Sequence, residues 1–381
     1  MHIPSWPQAD ESEADLLRAV LESPQWGGFH PFVAEFEQSF AAYQHAAYGI
    51  SAFNGTVTLE LALDVLGITD GDEVIVPAIS FISTATAVSR SGATPVFVDL
   101  RENTFNLDPI RVREAITSRT KAVMAVHFGG TMCDIEALEA VCREHNLYLI
   151  EDAAHAHGSE WNGKRAGSFG IAGSFSFQNG KVLCSGEGGM LVSSDDKFAE
   201  AARSVANCGR VKGQSFYEHV RLGTNFRLTA FQAAILLAQF ERLPGQIERR
   251  TANVRLLKKL LSSVEEVIWQ EQPAAVTANS WYLLVGRLTK GNRDKFTAAL
   301  AAAGVPCTPF YPHTLYRNLL YSEGGCRVME CPVAEARVRD SFWLPHRVFL
   351  GDDPTTEAVG EVLRKALSCS VSIAVSTASL W

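Results

Sequence analysis

Short β-rich runs alternate with helical runs along the first two thirds of the chain, and this order limits the possible folds more than any other feature. The runs EVIVP, TPVFVDL, KAVMAVHF and LYLIEDAA are separated by helical segments, two of which are predicted near Asp108 to Thr117 and over Asp134 to His145. Such alternation predicts βαβ units, in which parallel strands form a central sheet with helices on both faces. We therefore expect an α/β core from about 46 to 240.

The chain after this core predicts a second, smaller unit. A long helical stretch follows Thr229, and the Pro244-Gly245 pair is expected to interrupt it, because proline removes a helical N–H donor. A strand near SWYLLVGRL and later helical patterns then predict a small α+β region. We divide the chain into an N-terminal segment with the large α/β domain, 1–240, and a linking helix with the small domain, 241–381.

Composition and charge narrow the class of protein. The chain has 381 residues, a net charge of −8 and no stripe rich in Lys and Arg, which argues against binding to nucleic acid. Its eight cysteines show no CxxC spacing, so no metal site is expected. The sequence shows neither a secretory signal nor an apolar stretch near ~18 residues, so we expect a cytoplasmic protein without membrane contact.

Two strand ends are followed by uncharged residues that could hold a ligand, because ligands collect beyond the carboxyl ends of strands in open α/β sheets. In FNGTVTLELAL, Gly55 and Thr56 open a helix whose free N–H groups favour an anion such as a phosphate, although an ordinary helix start has the same pattern. In VPAISFISTATAV, Phe81 is either a core residue or a stacking surface for a flat ring.

Two further strand ends carry charged residues. In LYLIEDAAHAHG, Asp152 ends an apolar strand and His155 follows it; a buried carboxylate there needs a cationic partner, unless it only caps a helix. In SFSFQNGKVLCSGEGGM, Lys181 is either a surface-loop lysine or a Schiff-base lysine. The phosphate cradle, the stacking ring, the aspartate and the lysine together describe a pocket for pyridoxal 5'-phosphate (PLP).

The motifs follow one another in a specific order: NGT, VPAISFISTATAV, GATPVFVDL, EDAAHAHG, FSFQNGK with GEGGM, and TNFRLTAFQAAILLAQ. In this order the chain resembles the DegT/StrS-type sugar aminotransferases, which are PLP enzymes of fold type I, over almost its whole length. Within that family, SWPQADESE, FSFQNGK and LPHRVFLGDD look most like the 3-amino-5-hydroxybenzoate synthases and the cyclitol aminotransferases. The resemblance implies a mostly parallel central sheet and a smaller C-terminal α+β domain.

The same resemblance implies roles for residues around the cofactor ring. Lys181 would bind the PLP aldehyde as a Schiff base and act as general base, and Asp152 would pair with the pyridinium nitrogen. His155 would stand near the ring hydroxyl, where many members have glutamine. Phe81 would stack on the ring face.

The phosphate of the cofactor is assigned by the resemblance to residues of two subunits. Gly55, Thr56 and Ser176 would hold it from one subunit, and Asn225 would reach it from the other subunit of a homodimer. The active site would then lie at the subunit interface, and dimerisation would be a condition of activity.

Candidates for substrate contacts are Gln178, Tyr311, His313 and His346. Tyr311 and His313, in PFYPHTLY, could equally be structural. The LPHR segment around His346 departs from the late motif of the nucleotide-sugar members of the family. This departure favours a smaller ring as the substrate.

The resulting prediction is an aminotransferase that moves an amino group from glutamine or glutamate to a cyclic keto-polyol. Its small-molecule substrates would be a keto sugar or keto cyclitol and the amino donor. One alternative is an aromatising dehydratase of the 3-amino-5-hydroxybenzoate synthase type, which needs the same lysine. Another is a regulatory protein that retains the fold, although retention of both Lys181 and Asp152 weighs against it.

Overall fold

The computed structural model describes residues 1–211 and 213–371, and its strands lie where the sequence predicts the alternation. The strands of the described residues are Tyr48–Ala52 (β1), Glu73–Pro77 (β2), Thr94–Val98 (β3), Thr120–Val126 (β4), Tyr148–Asp152 (β5), Glu160–Trp161 (β6), Lys164–Arg165 (β7), Ala172–Ser176 (β8), Gly189–Ser193 (β9), Val267–Trp269 (β10), Val276–Ala278 (β11), Leu283–Leu288 (β12), Thr308–Pro309 (β13), Arg327–Val328 (β14) and Ser341–Pro345 (β15).

Most helices begin at a side chain that accepts a hydrogen bond from the first turn. The α-helices are Glu11–Glu22 (α1), Pro31–Tyr43 (α2), Gly55–Val65 (α3), Ser83–Arg90 (α4), Pro109–Ala115 (α5), Ile135–His145 (α6), Asp196–Ala206 (α7), Ala230–Leu260 (α8), Arg293–Ala302 (α9), Pro332–Asp340 (α10) and Asp353–Val371 (α11). Asp108 and Asp134 cap α5 and α6 in this way. The two helices predicted near these caps are confirmed.

The main sheet has the strand order β1-β9-β8-β5-β4-β2-β3-β14. Its strands run parallel, except that β9 is antiparallel to its neighbours β1 and β8. Successive residues of β2 enter different cores: Ile75 packs with α2, α6 and α8 on one face, and Val74 and Val76 pack with α3, α4 and α7 on the other. The predicted α/β fold with a mostly parallel central sheet is confirmed.

One edge of the main sheet comes from the C-terminal part of the chain. Arg327 and Val328 of β14 pair in parallel with Val96 and Phe97 of β3. The segment after α8 therefore contributes to the large sheet as well as to the smaller one. The proposed division into 1–240 and 241–381 stays a prediction.

The predicted interruption at Pro244-Gly245 is wrong, because α8 continues through both residues for 31 residues in all. Both residues are exposed, while Leu243 and Ile247 beside them are buried in the core of the large domain. The helix also packs against α1, α2 and α11. Tertiary packing on both sides of the proline thus maintains a helix that the local sequence disfavours.

A second sheet, with the order β10-β12-β15-β13, forms the small C-terminal unit. Its strands are antiparallel, and α9, α11 and the C-terminal part of α8 complete its core. The strand predicted in SWYLLVGRL is β12. Within the described residues, no helix is both long and apolar enough to cross a bilayer.

Candidate active site

A cavity of about 500 Å³ opens at the carboxyl ends of β2, β4, β5 and β8. Strand ends converge there because the four strands run in the same direction. Most of the predicted site residues line it: Gly55, Thr56, Phe81, Asp152, His155, Ser176, Gln178, Lys181 and Tyr311. The structure therefore brings together segments that lie up to 256 positions apart in the sequence, from Gly55 to Tyr311.

The N-terminus of α3 forms one wall of the cavity. Asn54 caps the helix by accepting a hydrogen bond from the backbone N–H of Val57 at 3.0 Å, and Gly55 and Thr56 follow it at the cavity surface. A Cβ at Gly55 would come within 2.7 Å of the Cβ of Ser176. Glycine is therefore needed for the helix start to approach the end of β8, and the wall it leaves suits an anion.

Asp152 points into the cavity from the end of β5, with only 7% of its surface exposed. Its Oδ2 accepts a hydrogen bond from Thr84 Oγ1 at 2.8 Å, and Thr84 Oγ1 is in turn 2.7 Å from Ser80 Oγ. Burial raises the pKa of Asp152, and the Thr84 hydroxyl and the charge of Lys181 oppose this effect only in part. The carboxylate is thus suited to a cationic group placed in the cavity.

His155 and Tyr282 form the side of the cavity next to the lysine. Their ring centroids are 4.3 Å apart, and His155 Nδ1 accepts a hydrogen bond from the backbone N–H of Gly129 at 3.3 Å. Burial lowers the pKa of His155 well below its usual value, so the ring is neutral and carries its proton on Nε2. Lys181 Nζ lies 4.6 Å from the centroid of the Tyr282 ring.

Phe81, Gln178 and Tyr311 also line the cavity. Phe81 is 58% exposed although it follows a buried strand, which favours the stacking role over the core role. Gln178 accepts a hydrogen bond from the backbone N–H of Gly180 through Oε1 at 2.8 Å. Burial raises the pKa of the Tyr311 hydroxyl, so Tyr311 presents a neutral phenol to the cavity.

The structure does not bring three of the predicted residues to the cavity of their own subunit. His313 is exposed and bonds to the carbonyl of Thr314. His346 is 2% exposed and lies behind Tyr282, with the two ring centroids 6.1 Å apart. Asn225 is exposed, and its Oδ1 accepts the backbone N–H of Arg227 at 3.2 Å.

Sequence reasoning missed the hydroxyl groups beside Asp152 and the ring beside Lys181. Ser83 and Thr84 open α4, and Ser83 Oγ is 2.7 Å from Thr56 Oγ1. The polar run STAT, which begins a few positions after the end of β2, was a signal for these two residues. Tyr282 gave no such signal, because it stands directly before the apolar strand β12. Its contact with the lysine depends on the packing of the small unit on the large one.

The sequence matches the DegT/DnrJ/EryC1/StrS aminotransferase family over residues 7–364. The chain belongs to this family. It is an aminotransferase, and its Lys181 and Asp152 lie together in the cavity of the α/β sheet. The family predicted from the order of the motifs is confirmed.

Individual relatives match most of the chain. The 3-amino-5-hydroxybenzoate synthase of Amycolatopsis mediterranei (strain S699) is 39% identical, with 96% of this chain and 97% of that protein covered. The putative L-glutamine:3-amino-2,3-dideoxy-scyllo-inosose aminotransferase of Micromonospora echinospora is also 39% identical, over 84% and 78%.

A solved structure of the same family confirms the fold. The crystal structure of a 3-amino-5-hydroxybenzoic acid synthase superimposes with a TM-score of 0.92 at 38% identity, and covers 97% of this chain and 99% of that one. Fold type I with its large mostly parallel sheet is therefore the fold of this aminotransferase.

Proposed function

We propose that this aminotransferase uses PLP to move the amino group of glutamine or glutamate to the carbonyl of a cyclic keto-polyol, a keto sugar or keto cyclitol. The observation that carries the proposal is the placement of Lys181 and Asp152 in one cavity whose remaining walls offer an anion site and ring-stacking surfaces. The name of the Micromonospora echinospora relative, a glutamine-dependent aminotransferase of an inosose, supports the choice of donor and acceptor.

The residues of the cavity fit PLP. The glycine start of α3 against Ser176 forms a cradle that a side chain would fill, as a phosphate group requires. The buried Asp152 carboxylate lacks a bonded cation among the described residues, as a site for a protonated ring nitrogen requires. When bound there, the cofactor would supply a conjugated ring that takes up the electrons released from a broken C–H bond.

Each wall would hold one part of the cofactor. Gly55, Thr56 and Ser176 would bind its phosphate, and Asp152 would keep its ring nitrogen protonated. The Oδ2 of Asp152 is already oriented by the Thr84 hydroxyl, so little reorganisation is needed on binding.

The ring of the cofactor would also meet Phe81 and His155. Phe81 would stack on one face, which its exposed position at the cavity permits. His155 would donate from Nε2 to an oxygen on the ring, because its Nδ1 is engaged by the Gly129 N–H.

Lys181 would serve both as the covalent anchor of the cofactor and as the group that moves the proton. Once the amino donor has displaced Lys181, its Nζ would accept a proton from the α-carbon of the donor and deliver it to the cofactor. In the second half of the cycle it would move the proton back for the keto acceptor. The Tyr282 ring, 4.6 Å from Nζ, would stabilise the protonated amine while the lysine holds the proton.

The site would be completed by a second copy of the chain. Asn225 is exposed and is not part of the cavity of its own subunit, which supports a role at the phosphate of the partner subunit in a homodimer. We include this homodimer in the proposal.

A second candidate function is the aromatising dehydration carried out by 3-amino-5-hydroxybenzoate synthases. The observation in its favour is the match to such an enzyme over nearly the whole of both chains. An aminated cyclohexenone would replace the amino donor, and Lys181 would remove a ring proton so that water leaves and the ring becomes aromatic. Both functions use the same residues in the same positions.

The decisive experiment begins with the PLP-loaded enzyme and glutamine alone. We expect the visible band to move from ~420 nm to ~330 nm, as PLP chemistry predicts when the amino group is transferred. Keto-cyclitols and carboxylated cyclohexenones are then added separately: an aminated cyclitol supports the proposal, and formation of an aromatic product supports the second candidate.

Matched lysine variants control the experiment. Lys181→Ala is expected to lose both the visible band and turnover, whereas Lys197→Ala, which alters an exposed lysine of α7, is expected to retain both. Turnover by Lys181→Ala at the rate of the unchanged enzyme would contradict the mechanism.

A further inference from the structure

The loop that carries the lysine is held by two side chains from distant parts of the chain. We call Gln178–Lys181 the lysine loop; the backbone N–H of Lys181 donates to the carbonyl of Gln178 at 2.8 Å and closes it as a turn. Trp6 Nε1 donates to the carbonyl of Lys181 at 3.1 Å. The ring of His346 faces the carbonyl of Gly180, which acts to raise its pKa.

Trp6 belongs to an N-terminal arm, residues 2–10, that crosses from the small unit to the large one. Backbone carbonyls of the arm accept hydrogen bonds at three points: His2 from Thr355 at 3.4 Å, Pro4 from Arg347 at 3.4 Å, and Gln8 from Gln239 at 2.5 Å. Thr355 and Arg347 lie in the C-terminal unit, and Gln239 lies on α8. The arm is thus fastened on both sides of the point where Trp6 meets the lysine loop.

The same two side chains also support the surroundings of the lysine amine. The rings of Trp6 and His346 are perpendicular, with centroids 4.5 Å apart, and His346 is nearly parallel to Tyr282 at 6.1 Å. Tyr282 in turn contacts His155 and lies under Lys181 Nζ. A row of rings therefore runs from the N-terminal arm to the cavity.

His346 is suited to a fixed supporting role in the row of rings. Burial and the nearby charge of Arg250 lower the pKa of His346 well below its usual value, so the imidazole is neutral. Its Nδ1 is buried and has no partner among the described residues, so the ring is held by packing between Trp6 and Tyr282. The ring stays uncharged over the pH range in which an exposed histidine would titrate.

We propose that Trp6 and His346 are positioning residues of the enzyme: Trp6 bonds to the lysine loop, His346 packs between Trp6 and Tyr282, and together they fix the direction of the Lys181 amine in the cavity. The loop has exposed residues, so the two side chains restrict motions that its own packing permits. The inference rests on the proposed role of Lys181, but its first test does not require that role.

The first test measures hydrogen exchange of backbone amides in the protein without cofactor. Trp6→Phe removes the donor and keeps a ring, His346→Phe replaces the imidazole that packs against Trp6, and Trp269→Phe, in β10 away from the cavity, is the control. We expect the amides of residues 179–181 to exchange about three- to tenfold faster in the first two variants, an effect of the size of one lost hydrogen bond.

Two outcomes of this test would overturn the proposal. One is an unchanged exchange rate of the lysine loop in both Trp6→Phe and His346→Phe. The other is an equal acceleration in Trp269→Phe, which would indicate general destabilisation instead of a local restraint.

The second test uses the PLP-loaded enzyme. In Trp6→Phe we expect kcat to fall about three- to tenfold while the KM for the donor is unchanged, because the lysine is misdirected but the binding walls are intact. An unchanged kcat would count against positioning. If the unchanged enzyme forms no visible band, the proposed function fails, yet the exchange result still decides whether the two residues restrain the loop.

Discussion

Asp152 and Glu151 are adjacent in β5, but their carboxylates lie on opposite faces of the sheet. Glu151 accepts the backbone N–H groups of Gly167, Phe169 and Gly170 at 2.7 to 2.9 Å and bonds to His127. Although burial acts to raise its pKa, these hydrogen bonds hold the pKa of Glu151 below its usual value. Glu151 is therefore a structural carboxylate with its hydrogen bonds satisfied, whereas Asp152 has no bonded cation among the described residues.

Replacement of Asp152 by Asn tests this difference. Because the pKa of Asp152 is raised in the folded protein, its negative charge destabilises the folded state. This destabilisation is absent below the unfolded pKa of ~3.9, grows as the pH rises toward the folded pKa, and is complete above it. We expect Asp152→Asn to make the cofactor-free protein more stable at pH 7, with a gain that shrinks toward pH ~4.

Denaturant unfolding of the cofactor-free variant at several pH values measures this gain. Turnover of the PLP-loaded variant should fall by at least ~10²-fold, because an amide cannot keep the ring nitrogen protonated. A variant less stable than the unchanged protein at pH 7 would show that Asp152 carries no such cost.

At the level of single residues, the sequence indicated the residues proposed for the chemistry better than the residues proposed to position them. Lys181 and Asp152 could be chosen because a charged residue in an apolar setting is costly and so needs a reason. Trp6 and His346 could be given no positioning role, since their contacts span 175 positions to Lys181 and 166 positions to Gly180. Such contacts depend on how the two units pack, which local patterns do not encode.

Helices and strands followed their local signals, with one exception. Caps such as Asp108 and Asp134 determined where helices begin, and runs rich in β-branched residues, such as EVIVP, determined buried strands such as β2. At Pro244 the local signal for a break was real, but packing outweighed it: α8 is buried against the large core at Ile247 and against the small core at Leu257. A loss of packing on both sides of a break would cost more than the one missing hydrogen bond.

Gly245 has a low helix propensity, and its replacement tests how much this residue destabilises α8. A Cβ at this exposed helical position would have no heavy atom within 4 Å. We expect Gly245→Ala to raise the free energy of unfolding by about 1 kcal/mol, since alanine favours the helix and restricts the unfolded chain. The midpoint of denaturant unfolding measures the change.

Gly55→Ala is the matched control, because it also replaces a glycine inside a helix. There the new Cβ would lie 2.7 Å from Ser176 Cβ, so we expect lower stability and weaker binding of PLP. A loss of stability in Gly245→Ala would mean that α8 needs the flexibility of glycine next to its proline.

The molecule as a whole is proposed to work as a homodimer whose subunits exchange phosphate-binding residues. Subunits carrying Lys181→Ala can be mixed, after unfolding and refolding, with subunits carrying Asn225→Asp. In the mixed dimer, one site pairs an intact Lys181 with an intact Asn225 of the partner subunit. Random assembly should then restore about one quarter of the full activity, since half of the dimers are mixed and each has one intact site.

Asn225→Asp is chosen because its Oδ1 can still accept the Arg227 N–H, while its charge repels a phosphate. Each variant alone should be inactive. Absence of any recovery on mixing, with dimers present by sedimentation, would show that Asn225 does not act across the interface.

The N-terminal arm imposes an order on events during synthesis. Residues 2–10 leave the ribosome long before residues 346–355, to which the arm is bonded in the folded chain. While the chain is still growing, Trp6 and His346 cannot both be in place, although the strands around the cavity have already been made. A nascent chain can therefore build its cofactor cradle early, but it gains a correctly directed lysine only once its C-terminal unit has been translated and has docked.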